Sequence, residues 1–245
     1  YRLYNVGGLK ELPEGERIVN CRVAAGTADL SRGPAMTREQ ATSALEIGVR
    51  AALDAVDGGA RALAPGELGI GNTTPAAALI AAYTGGSPET VTGRGAGAND
   101  EMLARKTRAV AQGLAVNDVA SLDALGVLAA VGGLEHAAMA GFVLGGAAAR
   151  VPVVLDGVIA VSSALAAVAL APEAGGYLFA GHLGAEPGLA VAIEQLGLSP
   201  IIRLGMRLGE GSGAALALPV LTAAARIMRE MSHFSDGQVS AEQES

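Results

Sequence analysis

GELGIGNTTPAAALIAAY, residues 66–83, decides the fold: a glycine-spaced turn runs into an apolar, alanine-rich segment, and a short apolar run at Ala60–Ala64 precedes it. Strand, glycine turn and helix in that order make half of a βαβ unit. Thr74 reads as the N-cap and Pro75 as the first helical residue, both favoured at helix starts. Upstream, Thr37 and Gln40 fit a capping box, and Ala41, Leu45, Val49, Ala52 and Val56 recur at helical spacing until Gly58-Gly59. Downstream the unit recurs loosely. VTGRGAGAND (91–100) leads into a helix capped by Asn99 or Asp100 and carrying Lys106, and VPVVLDG (151–157) is a β-branched run entering a turn and an Ala-rich helix. YLFAGHLGAEPG (177–188) and PIIRLGMRLGEGSGAALALP (200–219) complete the series, and residues 121–149 read as two helices divided by Gly132-Gly133. The alternation predicts an α/β fold with a doubly wound, mainly parallel sheet. Its glycine-rich βα loops would gather at the carboxyl ends of the strands, where open sheets bind ligands.

Composition narrows the function. Of 245 residues, 51% are hydrophobic but only 3% aromatic, with no Trp and 35 Gly, so the core must be built from small side chains and closely approaching backbones. A chain of this size and hydrophobicity is not disordered. The net charge of −7 offers no general attraction to a polyanion, which excludes nucleic acid as the expected partner. Mean hydropathy is +0.40. Yet the longest apolar stretch, VIAVSSALAAVALA (158–171), stops at Pro172, short of the about 20 residues that span a bilayer. With one cysteine, Cys21, no internal disulfide can form, and nothing at the start resembles a signal peptide. A cytoplasmic protein without a membrane partner is the expectation. Residues 1–234 read as a single domain, and SDGQVSAEQES from Ser235 to Ser245 as a mobile tail.

The loops carry the candidate chemistry. In 66–75, Gly69 and Gly71 allow close approach of a ligand, Asn72 and Thr73 follow them, and Thr73 and Thr74 add hydroxyls at a helix N-terminus. That combination suits a phosphate, or else is a plain tight βα turn. Neither GxxxxGK[ST] nor GxGxxG occurs in it. Arg94, between Gly93 and Gly95, fits a phosphate or carboxylate fork. Lys106 is either a point charge for the same anion or a solvated helix cation. Glu67 could hold a ribose hydroxyl or its own loop. Glu210, between Gly209 and Gly211, would project among apolar groups, its pKa raised so that it serves as a general base, or would complement the following helix dipole. Asp156 is a functional acid or a loop cap. His136, His182 and His233 have no metal-ligand spacing, so no metal site is expected; His182 ends a strand and could line the site.

Taken together, GELGIGNTTPAAAL, TGRGAGANDEMLARK, VGGLEHAAMAG, PVVLDGVI, GHLGAEPG and RLGEGSGAALALPVL, with GTADLSRGPAMTREQA at 26–41, resemble the nicotinate-nucleotide:dimethylbenzimidazole phosphoribosyltransferase family from residue 26 to about 234. The resemblance implies transfer of the 5-phosphoribosyl group from nicotinate mononucleotide to 5,6-dimethylbenzimidazole. The products are α-ribazole 5′-phosphate and nicotinate, in assembly of the cobalamin lower ligand. It implies that Glu210 removes the azole proton and that Glu67 is a second acidic site residue. Gly69, Gly71, Asn72, Thr73, Gly93, Arg94, Gly95 and Lys106 would hold the ribose phosphate, and Gly157, Leu208 and Gly209 would line the remaining pocket. It implies a homodimer and no cofactor. Two alternatives stay open: a relative that accepts another base or a phenol, and a nucleotide-binding module without catalysis.

The sequence departs from the family in three ways. Members extend further at the N-terminus, where they carry helices of a small domain and part of the acceptor pocket, so this helical subdomain is expected to be incomplete here; a non-Met first residue, Tyr1, favours a fragment. Gly184 and Leu189 stand where the family usually has Ser and His, and Arg203 where a neutral or acidic residue is usual.

Overall fold

The computed structural model describes residues 1–232; the tail at 235–245 and His233 lie outside them. Helix dominates, for a reason visible in the composition. Small side chains let helices bury surface against one another directly, and the strands shrink to three residues each.

The N-terminal segment pairs β1 (Leu3–Asn5) with β2 (Ile18–Asn20) in parallel. Helix α1 (Arg38–Asp57) starts at the capping box: Gln40 N donates to Thr37 Oγ1 (3.1 Å) and Thr37 N to Gln40 Oε1 (2.9 Å). Helix α2 (Thr73–Thr84) begins two residues earlier than the Thr74 cap predicts. Asn72 occupies the cap position without a side-chain cap bond, and Pro75 sits within the first turn, where its missing N–H costs nothing. The expected strand before GRGAG is instead a short helix, α3 (Pro88–Val91). Ser87 accepts from Thr90 N and Pro88 opens the turn, a helix-start signal stronger than the β-branched residues after it.

The chain then forms α4 (Asp100–Val116), capped by Asn99, α5 (Ala124–Val131) and α6 (Leu134–Ala148), the last two parted at Gly132-Gly133. Next come β3 (Val153–Leu155), α7 (Val158–Leu170), β4 (Leu178–Ala180), α8 (Pro187–Gln195) and α9 (Ser212–Glu230). Strands β3 and β4 pair in parallel, Leu63 bridges to Val153, and His182 to Ile202, all parallel. Position 63, β3, β4 and position 202 thus lie side by side in chain order. The α/β class with parallel strands and glycine turns is present. The reversal of strand order that defines a doubly wound sheet is not among the described pairings.

Helix α7 is the centre of the body. Its residues from Val158 to Ala167 are all buried, as expected of a helix apolar on every side, and its two serines return their hydroxyls to Ile159 O (2.9 and 2.8 Å). Helices α2, α5, α6 and α8 pack around it. No helix of the described residues is long and apolar enough to cross a membrane.

The tightest packing is between α1 and α6. A Cβ on Gly48 would lie 1.8 Å from Ala138 O, and one on Gly141 would lie 1.9 Å from Leu45 O. Only glycine lets these backbones meet. Overpacking usually costs about 1–3 kcal/mol, and a clash with backbone cannot be relieved by a rotamer. Gly48→Ala is therefore expected to destabilise by about 3 kcal/mol, a fall in Tm of roughly 6–12 °C at this chain length. Thermal unfolding followed by circular dichroism checks it, and Gly58→Ala, which meets only its own helix carbonyls at 3.2 and 3.4 Å, is the mild control.

Candidate phosphate and nucleotide site

The glycine turns converge on one cavity of about 700 Å³, within the range of small-molecule sites. From the first turn it is lined by Glu67, Gly69, Gly71, Asn72 and Thr73, and from the second by Arg94, Gly95 and, one helical stretch on, Lys106. The end of β3 adds Asp156 and Gly157, the end of β4 adds His182, and the last turn adds Leu208 and Gly209.

Two predicted residues are not in the lining. Gly93 is buried behind the wall, where its carbonyl accepts from Lys106 Nζ (2.7 Å). Glu210 is exposed at the rim, next to Gly209. The expectation that it projects among apolar groups is corrected by the backbone: Gly209, Glu210 and Gly211 have φ of 84°, 60° and 83°, and this left-handed turn carries position 210 to the cavity edge.

Lys106 is a structural hub. Besides Gly93 O, its Nζ donates to Thr73 Oγ1 (2.9 Å), tying α4 to the first turn of α2. Burial lowers its pKa, opposed by the nearby Glu186 carboxylate. With two of its three donors on described residues, one remains for an anion beside the α2 N-terminus. The solvated-cation alternative does not hold.

The other charged groups are engaged locally. Arg94 donates to Ala98 O (2.8 Å) and to the Asp100 carboxylate, so its fork closes its own loop. Glu67 accepts from Gly69 N (2.7 Å) and from the Asn72 amide, which rigidifies the first turn. The Gly95 amide donates to Glu186 Oε1 (2.8 Å), so any ligand anion at Gly95 competes with that carboxylate. Glu186 is the residue that sequence reasoning passed over. Its signal was its place in GAEPG, directly before the proline that opens α8.

Asp156 resolves toward capping. Its Oδ1 accepts from Gly213 N (2.7 Å) and Ala214 N (3.2 Å), and its Oδ2 from Gly211 N (3.0 Å). His182 Nε2 stands 3.5 Å from Oδ1. A left-handed non-glycine residue costs roughly 1–2 kcal/mol. Three charged hydrogen bonds at about 1.5–3 kcal/mol each outweigh it. The strained position 210 is thus held by the carboxylate of Asp156.

His136 is a buried residue of α6, with Nδ1 3.0 Å from Glu135 Oε1. Gly184 and Leu189, the two departures from the family pattern, adjoin: a Cβ at 184 would sit 3.3 Å from Leu189 Cδ2. Arg203 is exposed and outside the lining, and nothing in the structure explains it. Among the described residues no three His, Cys, Asp or Glu side chains converge as a metal site.

Glycine turns at helix N-termini, with Lys106 and the carboxylates of Glu67, Asp156 and Glu186 around one cavity of an α/β fold, have the makings of a cradle for a phosphorylated small molecule. The family model described as Phosphoribosyltransferase matches residues 1–239. The nicotinate-nucleotide–dimethylbenzimidazole phosphoribosyltransferase of Salinispora tropica is 53% identical over 223 residues, which cover 91% of this chain and 61% of that protein. The protein of the same name from Chloroflexus aggregans is 45% identical over 240 residues, 98% of this chain and 68% of its own length. The crystal structure of CobT from Thermus thermophilus superposes with a TM-score of 0.92 at 46% identity, covering 98% of this chain and 71% of that one. The chain belongs to the nicotinate-nucleotide–dimethylbenzimidazole phosphoribosyltransferase family, and it spans 61% of the length of the Salinispora relative.

The Asp156 contacts have a pH consequence. Burial would raise its pKa, but the His182 contact and the three backbone donors outweigh it, and the net value lies below the ordinary 3.8. A carboxyl with a depressed folded pKa stabilises fully above its unfolded pKa and loses that contribution as pH falls through the folded value. Acid unfolding of the parent should therefore steepen below pH 3.8, and Asp156→Asn should remove that component while costing about 2 kcal/mol at neutral pH. Denaturant titrations from neutral pH down into the acid range measure both.

Proposed function

We propose that the protein carrying this chain transfers the 5-phosphoribosyl group of nicotinate mononucleotide to 5,6-dimethylbenzimidazole, with inversion from the β to the α anomer. The observation that carries the proposal is the convergence of the 66–74 and 93–98 turns on Lys106, with Glu67 and the Glu210 loop beside them. A Cβ on Gly66 would lie 2.7 Å from the Glu210 carbonyl carbon, so the turns that carry the two acids pack backbone to backbone.

The chemistry suits that arrangement. Nicotinate leaves as a neutral ring nitrogen from a cationic pyridinium, so its departure needs no proton donor. The incoming azole must lose its N–H proton as it attacks C1′, and a carboxylate at position 210 can take it. Glu67 lies where an anion favours the developing oxocarbenium charge. The phosphate sits at the α2 N-terminus, held by the third donor of Lys106 and the amides of the first turn. The apolar rim of Ile70, Met206 and Leu208 suits a flat heteroaromatic acceptor. Glu210 is exposed, and a bound acceptor would take water from it.

The working form in this reading is a cytoplasmic homodimer. A charged mononucleotide stays in the compartment where it is made. Helix α9 offers Leu216, Val220 and Ile227 as exposed apolar residues on the same molecule that carries Glu210 at its start.

Two variants test the chemistry by nicotinate release, measured against a panel of acceptor bases. Glu210→Gln should retain nicotinate mononucleotide binding while turnover falls at least about a hundredfold, the usual worth of general-base assistance. Unchanged turnover removes Glu210 from the mechanism, and rapid use of another base with none of dimethylbenzimidazole changes the acceptor. Lys106→Met should weaken mononucleotide binding by roughly 10- to 150-fold, the loss of one charge-assisted hydrogen bond. Isothermal titration calorimetry reads it directly.

A further inference from the structure

Among the described residues, Asp156 is a buried carboxylate of the cavity wall that the scheme above does not use, and its side chain is only 4% exposed. It lies at the end of β3, yet its three hydrogen bonds go to Gly211, Gly213 and Ala214, more than fifty residues later. Those amides follow Glu210 immediately. Gly209, Glu210 and Gly211 all have positive φ, and Ser212 N donates to Gly209 O (3.0 Å) to close the turn.

Two further contacts confine the same turn. On one side the Gly66 backbone abuts Glu210 and Gly211, leaving no room for a Cβ. On the other, the buried His182 ring occupies the space over Gly213, where a Cβ would fall 2.0 Å from Cδ2. The helix that starts there could be capped by a residue of its own sequence. Instead the cap comes from the β3 end next to Gly157, in the wall of the nucleotide cavity.

We propose that Asp156, backed by His182, is the positioning residue that fixes the Glu210 carboxylate relative to the sugar carbon under attack. The inference rests on the reading of Glu210 as the base. Asp156 touches no reacting atom. It acts by holding the 211–214 amides at a set distance from the β3 end, so that the strained turn cannot relax and swing the base away. Displacement of a reacting group by about 1 Å is enough to cost a hundredfold in rate.

A double-mutant cycle on the whole gene product tests it, with nicotinate release as the readout and calorimetric binding of nicotinate mononucleotide as the control. Asp156→Asn should lower kcat about 30- to 100-fold and leave KM for nicotinate mononucleotide within about twofold. Added to Glu210→Gln, the same change should cost less than about threefold more, because a base already removed cannot be misplaced. An equal fold loss in both backgrounds overturns the positioning role and leaves the base reading standing. So does a rise in KM with kcat unchanged. Full turnover by Glu210→Gln alone overturns the base reading itself, and the positioning role with it. Should Asp156→Asn fail to fold, Asp156→Glu takes its place in the cycle with the same outcomes, since it keeps the charge and pushes the amides away by one methylene.

Discussion

The structure depends on backbones approaching one another more closely than side chains would permit. With no Trp and 3% aromatic residues, the chain has few large groups with which to fill space between elements. It fills that space with the neighbouring backbone instead. Helix α1 lies on α6 at Gly48 and Gly141, and the same economy recurs at the site, where Gly66 backs onto the Glu210 turn. Dispersion contacts between closely packed main chains replace those of large side chains, and the interior keeps its density. One consequence is that helices, not the sheet, carry the burial, which explains strands of three residues.

That packing places several helix N-termini and glycine turns around one cavity, and the charges there are balanced rather than simply cationic. Lys106 and Arg94 are each tied to neighbouring loops, Glu67 and Glu186 accept from backbone amides, and Asp156 accepts from three of them. Two amides of the cavity wall, those of Gly69 and Gly95, already have carboxylate partners. The side chain of position 210 stands apart from this network, while its backbone is followed by the amides that Asp156 grips and is abutted by Gly66.

Much was legible in the chain alone. The Thr37–Gln40 capping box, the cap read at Asn99 or Asp100, which falls on Asn99, and the break at Gly132-Gly133 each depend on neighbours within four residues, and all are present. The candidate residues of the first two turns were legible for the same reason, since a glycine turn opening a helix has a local signature. Where two local signals competed the reading failed: the Ser87-Pro88 helix start overrode a β-branched run, and α2 began ahead of its hydroxyl cap. The roles proposed for those residues rest on the family pattern, since no local signal carries them.

The sequence by itself determined the element types, the turns that could cradle an anion and the small-residue interior, because each follows from steric and hydrogen-bonding preferences over a few residues. Only the tertiary structure decided that Asp156 caps a helix more than fifty residues away, that Glu186 reaches the Gly95 amide, and that Glu210 stands at the cavity rim. Those are contacts between segments far apart in the chain. Their geometry is set by how closely glycine-lined backbones pack, and no spacing along the sequence encodes it.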